Sequence, residues 1–314
     1  MTHVVVTGAE GFVGRALVKR LLSGGLGGRS VSRLTLLDVA FNDQYPSPKV
    51  QLLAGSIADP SVRATAYATT VDVVFHLASI PGGAAEKNYE LGRAINLDAT
   101  RGLLEDLRGQ PRVPRFVFAS TVAVYGEQLP PTIDERTLPA PALSYGTHKL
   151  IGELLVADAS RLGWVNGCSL RLPGVVARPG DGAGLMSAFM SQLFWKLSAG
   201  EPITVPVSPE GIAWWISVGA CVDNLLHAAT VDPEMFDSRR SYQMPVLRLT
   251  VAQVVDALAS RFGAGRKNLV TYAPDPFIER LFASYPPLWT QDAERLGLHH
   301  DGNVEQLISR ALAH

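Results

Sequence analysis

A chain of 314 residues with 47% hydrophobic and 18% charged residues can bury a large core, and one domain or two would fit that length. Its formal net charge of −1, with no run of Lys or Arg, offers no field to recruit nucleic acid or an anionic membrane. Two cysteines, Cys168 and Cys221, show neither pairing nor metal spacing, which argues against a disulfide framework and fits a reducing cytoplasm.

The opening MTHVVVTG has no signal-peptide core or cleavage pattern, and no stretch reaches the roughly 18 apolar residues of a membrane span. A cytosolic protein is therefore expected. Short apolar runs then alternate with helical patterns, which predicts a parallel sheet built from βαβ units. Strands are expected over 4–7, 34–37, 50–53, 71–77, 116–119 and 168–172. The first is all valine but for its last residue, the pattern of a strand buried on both faces. Helices are expected over 12–22, 89–108 and 144–162. After Leu172 the rhythm changes: Gly and Pro punctuate RLPGVVARPGDGAG, and helices follow over 185–198, 223–230, 251–262 and 304–313. The reading is an α/β fold. Residues 1–172 form a doubly wound parallel sheet of Rossmann type that binds a dinucleotide, with 213–245 returning to it. Residues 173–212 and 246–314 form a smaller lobe for substrate.

Gly8, Gly11 and Gly14 in TGAEGFVG stand between the first strand and the first helix. Glycines there let the backbone turn tightly and approach a pyrophosphate at the helix N-terminus. Their G-x-x-G-x-x-G spacing differs from G-x-G-x-x-G, so the dinucleotide fingerprint is an analogy, and a plain turn is the alternative. Asp38 ends the second strand about twenty residues beyond the loop, where the fingerprint places its acid. A carboxylate there accepts hydrogen bonds from the adenosine ribose and repels a 2′-phosphate, which favours NAD over NADP. An ordinary strand-end acid is the bland reading. Arg33, ahead of the strand, is not placed to rescue a 2′-phosphate.

Tyr145 and Lys149 lie four apart in SYGTHKLIGELL and share one face of a helix. A tyrosine with its unperturbed pKa near 10 is a poor base at neutral pH, and a neighbouring ammonium stabilises its phenolate. Tyr-x-x-x-Lys alone is a weak pattern. Here it follows a glycine loop, a strand-end acid and a hydroxyl cluster, in that order.

With TGAEGFVG, HLAS, INLDAT, FASTVAVYG and SYGTHK in series, the chain resembles the extended short-chain dehydrogenase/reductase family up to about residue 180. The resemblance implies Tyr145 as general acid/base, Lys149 as ribose holder, and a Ser/Thr bound to the reacting oxygen. Counting back from Tyr125 and Gly126 gives Thr121, with Ser120 either beside it in catalysis or merely structural. The cofactor would lie against Gly8, Gly11, Phe12, Val13, Gly14 and Asp38. It would also meet Ser56, Ile57, Leu77, Ala78, Ser79 and Asn96, and then Tyr145, Lys149, Pro173 and Val175. One departure is Gly55-Ser56-Ile57, where members commonly carry Gly-Asp-Ile/Leu, which leaves Ser56 or, instead, Asp59 for that contact.

Family members acting on nucleotide sugars often carry Arg-x-x-Asn-Val-Tyr-Gly-Pro and a later arginine ahead of Val-Asp-Asp. Here Gly174, Val176 and Ala213 occupy the Asn, Tyr and arginine positions, and losing a bidentate phosphate clamp is not neutral. GAAE from Gly83, SYGTHKLIGELLV, VVARPG, LLHAAT and DPFIER resemble instead the NAD-dependent D-erythronate dehydrogenase branch, once labelled sugar epimerases. That resemblance implies oxidation of a short 2-hydroxy sugar acid at C2, with an NDP-sugar epimerase or dehydratase as the rival. Thr121, Gly83 and Arg178 are the substrate candidates, Arg178 for the carboxylate or else a surface arginine in a turn. Trp214 and Trp215 could wall a pocket, though core packing is the commoner role. Glu153 is expected to be solvated or salt-bridged. The seven histidines are scattered without ligand spacing, so no metal is expected. The family resemblance also implies a homodimer.

Overall fold

The computed structural model describes residues 2–180, 182 and 185–313. They form two compact units, one of 1–126, 139–171 and 222–243 and one of 127–138, 172–221 and 244–314.

In the first unit β1 (His3–Thr7) is buried throughout, as its valines demand. After the glycine loop, α1 (Phe12–Gly24) buries Gly14, Ala16, Leu17, Val18 and Leu21, a single stripe at helical spacing. Next come β2 (Arg33–Asp38), β3 (Val50–Ala54), α2 (Pro60–Ala66) and β4 (Val73–His76). Then follow α3 (Gly82–Lys87), α4 (Tyr89–Arg93), α5 (Ala99–Asp106), β5 (Arg115–Thr121), α6 (Ser144–Arg161) and β6 (Asn166–Leu172). The helix expected over 89–108 is thus two helices joined by a π turn at Ala94–Asp98. In that turn Asn96, 1% exposed, bonds the backbone N–H and carbonyl of Ile80 at 2.8 and 3.0 Å. Such π turns recur at functional sites.

Beyond β6 the chain forms β7 (Gly174–Val176), α7 (Ala188–Ala199), β8 (Ile203–Val205), β9 (Ile212–Ser217), α8 (Val218–Ala228) and β10 (Ser241–Gln243). It ends with β11 (Leu247–Thr250), α9 (Val251–Phe262), β12 (Val270–Tyr272), α10 (Pro276–Phe282), α11 (Gln291–Arg295) and α12 (Val304–Ala311). The main sheet runs β10-β6-β5-β4-β1-β2-β3, with parallel pairing on both sides of β1. Strand order reverses at β1, and open α/β sheets bind ligands beyond the carboxyl ends of the strands at such a point. Gly8, Asp38, His76 and Thr121 stand at or just past the carboxyl ends of β1, β2, β4 and β5.

In the second unit β9 lies between β11 and β7. This ladder corrects one sequence boundary: 213–221 belongs to the second unit, and the chain re-enters the first at 222 rather than 213. Trp215, fully buried, packs in a core with Phe189, Leu193, Phe194, Val254, Leu258 and Leu307. Trp214 stacks on Tyr285 at 4.6 Å and donates from its indole N–H to the Pro286 carbonyl at 2.9 Å. Both tryptophans are packing residues.

Candidate active site

Two of the loop glycines leave no room for a side chain. At Gly8 (φ +71°) a Cβ would lie 2.6 Å from the Ala78 nitrogen, and at Gly14 it would lie 2.1 Å from the Gly8 carbonyl oxygen. Gly11 is the exposed N-cap of α1; it brings no capping side chain, and the first turn holds no acid. A helix N-terminus open in this way suits an anion, so the loop fits the pyrophosphate of a dinucleotide. Phe12 and Val13 are half-buried in that first turn. Asp38 accepts from the Glu10 N–H at 2.9 Å and the Val39 N–H at 2.7 Å, which fixes its carboxylate against the loop. Arg33 bonds Gln51 and Thr69 instead.

Behind the loop, neutral threonines and a histidine form a buried chain. The Thr7 hydroxyl meets His76 Nδ1 at 2.7 Å, and His76 Nε2 meets the Thr100 hydroxyl at 2.9 Å. Burial, helped by the Lys149 charge, holds His76 well below its ordinary pKa and therefore uncharged. Thr7 also accepts from the Ala78 N–H at 3.3 Å, tying the half-buried segment 77–79 to the glycine loop.

At the end of β5 the two hydroxyls diverge. Ser120 spends its proton on Glu153 Oε1 at 2.5 Å. Arg171 grips both Glu153 oxygens at 2.9 and 2.8 Å and donates to the Tyr125 hydroxyl at 2.9 Å. Burial works against the Arg171 charge, but Glu153 holds its pKa above the ordinary value. Breaking such a pair would strand a buried charge at a cost of about 3–5 kcal/mol. Ser120 is therefore bound into a structural network, and Glu153 is the salt-bridged acid. Thr121, 8% exposed, accepts from the Ala123 N–H at 3.2 Å, and its own proton is left to donate elsewhere.

Helix α6 brings Tyr145 and Lys149 to the same strand end. The Lys149 ammonium, 1% exposed, donates to the Ala119 carbonyl at 2.8 Å. It lies 4.7 Å from the Phe118 ring centroid and 6.0 Å from that of Tyr145. Burial lowers the Lys149 pKa to about 7. Helix α3 packs on the start of α6: a Cβ at Gly82 would meet the Tyr145 ring at 3.7 Å, and Glu86 accepts from the Ser144 N–H, capping α6. Gly83, the neighbour expected at the substrate, is exposed on α3.

Ser56 accepts from the Ala58 N–H at 3.2 Å beside buried Ile57, while Asp59 is spent capping α2. Pro173 (buried) and Val175 (half-buried in β7) belong to the second unit, as does exposed Arg178, whose carbonyl accepts from the Trp195 indole at 2.9 Å. Sequence reasoning missed Gly82, Glu86 and the Arg171 partner of Glu153. The first two sit in PGGAAEK, where only the adjacency of α3 and α6 gives them meaning. Among the described residues no group of His, Cys, Asp and Glu could hold a metal ion, and no helix is long and apolar enough to cross a membrane.

A model of the NAD dependent epimerase/dehydratase family matches residues 4–237. D-erythronate dehydrogenase of Cupriavidus necator is 37% identical over 98% of this chain and 96% of its own. D-erythronate dehydrogenase of Haemophilus influenzae is 32% identical over 98% of each. The crystal structure of the nucleoside-diphosphate-sugar epimerase from Agrobacterium tumefaciens, 35% identical, superposes with a TM-score of 0.91 over 98% of this chain and 92% of that one.

Proposed function

Because the chain belongs to the NAD dependent epimerase/dehydratase family, we propose that it oxidises a short 2-hydroxy sugar acid, of the D-erythronate type, at C2 to the 2-oxo acid. The observation that carries this reading is similarity over nearly the whole length to two D-erythronate dehydrogenases. NAD, when bound, supplies the hydride acceptor. Gly8, Gly11 and Gly14 would seat its pyrophosphate and Asp38 its adenosine ribose. Tyr145 takes the proton of the C2 hydroxyl. Thr121 donates its remaining proton to the same oxygen and orients it. Lys149, in its protonated form, sets positive charge beside the Tyr145 ring, where it favours the phenolate. Ser120 contributes through Glu153 and not by touching substrate.

The rival reading, an NDP-sugar epimerase, draws on the likeness to the Agrobacterium protein. Against it stand Ala213, fully buried in β9 where nucleotide-sugar members carry a phosphate-binding arginine, and the changes at Gly174 and Val176. A panel of C4 to C6 sugar acids with NAD is expected to yield NADH, and UDP-hexoses are expected to stay unchanged. NADH from none of the acids, with epimerisation of a UDP-hexose, would replace this reading by the rival. Arg178 remains the candidate for the substrate carboxylate. Arg178→Ala should then raise KM for the acid about ten- to a hundredfold, the worth of one charge-assisted bond. An unchanged KM removes Arg178 and leaves the reaction standing.

The half-exposed Tyr89 and Leu91 on α4 and the 65% exposed Leu154 on α6 support a homodimer formed through these helices. Sedimentation should give twice the chain mass, and Leu154→Glu should halve it. A monomeric wild type would refute the dimer.

A further inference from the structure

We propose that Glu10, inside the glycine loop, completes the selection of NAD at the adenosine ribose. It would do so by setting a second carboxylate beside Asp38 and by occupying the Arg15 guanidinium, which could otherwise meet a 2′-phosphate. The inference rests on reading the loop as the cofactor seat. An acid in a loop built for an anion is electrostatically out of place, so its surroundings are informative.

The Glu10 side chain is only 8% exposed. Its Oε1 accepts from the Tyr45 hydroxyl at 2.7 Å, and its Oε2 accepts from Arg15 at 2.8 Å and from the Asn42 and Asp43 N–H groups at 3.1 and 3.4 Å. Burial opposes the charge, yet these donors hold its pKa below the ordinary carboxylate value, so Glu10 is an anion at neutral pH. Its backbone N–H donates to Asp38 at 2.9 Å, which places the Glu10 backbone at the corner where the ribose hydroxyls would reach Asp38. Arg15 is clamped between two acids, Glu10 at 2.8 Å and Asp43 at 3.2 Å. A free 2′-hydroxyl can donate to Asp38. A 2′-phosphate, carrying between one and two negative charges, would face both carboxylates and a guanidinium already engaged. The plainer role, bracing residues 42–45 against the loop, predicts that NADH and NADPH affinities move together.

Binding of NADH and NADPH, titrated by nucleotide fluorescence, separates the two roles without any substrate. Glu10→Gln keeps the shape and removes the charge; it should raise the NADPH:NADH affinity ratio about tenfold, the worth of one charge-assisted contact. Adding Arg15→Ala to Glu10→Gln should take part of that gain back, the part that the guanidinium freed from Glu10 supplies, while the part due to the lost carboxylate remains. Asp38→Ala should raise the ratio by a similar factor. If Glu10→Gln leaves the ratio unchanged while Asp38→Ala shifts it, the proposal falls and the cofactor seat stands. If neither shifts it, the reading of the seat itself is wrong. Glu10→Ala makes the same test should the amide variant not fold.

Discussion

Tyr145→Phe is expected to lower kcat at least about a thousandfold, in the upper range for loss of a general acid/base, while NADH still binds. The ring would stay where it is. Gly82 borders it without crowding, since even a Cβ there would sit at an ordinary contact distance of 3.7 Å, and Glu86 caps the helix that carries it through the Ser144 N–H. Only the hydroxyl is removed, and with it the acceptor for the substrate proton. The other hydroxyls at this strand end cannot take over. Ser120 is committed to Glu153 at 2.5 Å, and Thr121 is fixed by the Ala123 N–H and serves as a donor. Steady-state NADH formation and fluorescence titration of NADH measure the two halves of this expectation separately. Activity within tenfold of the wild type would remove Tyr145 from the chemistry. Loss of NADH binding would mean that the substitution had disturbed α6 and would leave kcat uninterpretable as a proton-transfer effect.

The parts of this site that were legible in the sequence are those whose meaning is local. An all-valine strand running into TGAEGFVG, an acid closing β2, and a Tyr/Lys pair four apart on α6 all follow from period and spacing. What stayed hidden depends on partners far away in the chain. Glu153 lies four residues past Lys149 on the same helix, but its pairing with Arg171 becomes visible only when β6 is laid beside β5. The three-residue strands β7, β8, β10 and β12 are too short to carry an alternating pattern and exist because neighbouring backbone pairs with them. IAWWIS in β9 reads equally as buried helix or buried strand, and the ladder with β11 decides it. The π turn at Ala94–Asp98 is likewise invisible to a helical template, since the flanking residues keep ordinary helical character. Glu10 occupies one of the x positions of the G-x-x-G-x-x-G spacing, to which that pattern gives no role, and its four hydrogen-bond donors mark it as more.

Lys149→Met is expected to abolish most activity and, below neutral pH, to make the cofactor-free protein more stable. The ammonium is buried to 1% exposure, with the Ala119 carbonyl as its hydrogen-bond acceptor and the Phe118 ring 4.7 Å away. Burial brings its pKa from 10.5 to about 7. The unfolded chain therefore holds this proton up to pH 10.5, whereas the folded chain releases it near 7. Between those values the unfolded state binds more protons, so stability rises with pH across the window, and the full penalty applies below its lower edge. That penalty is on the order of 5 kcal/mol, taking 1.36 kcal/mol for each pKa unit. Methionine, of similar length, avoids it but leaves the buried Ala119 carbonyl without this donor, a loss of about 1–3 kcal/mol. The variant should thus melt higher than the wild type at pH 6, with the difference shrinking as pH rises and reversing by about pH 10, where wild-type Lys149 is neutral in the folded state. Calorimetry across pH 6 to 10 reads this crossover directly. A variant that melts lower at every pH would mean that the ammonium is better solvated in the folded protein than its burial implies. The crossover, found together with lost turnover, would mean that a costly buried charge is retained because the phenolate of Tyr145 needs it.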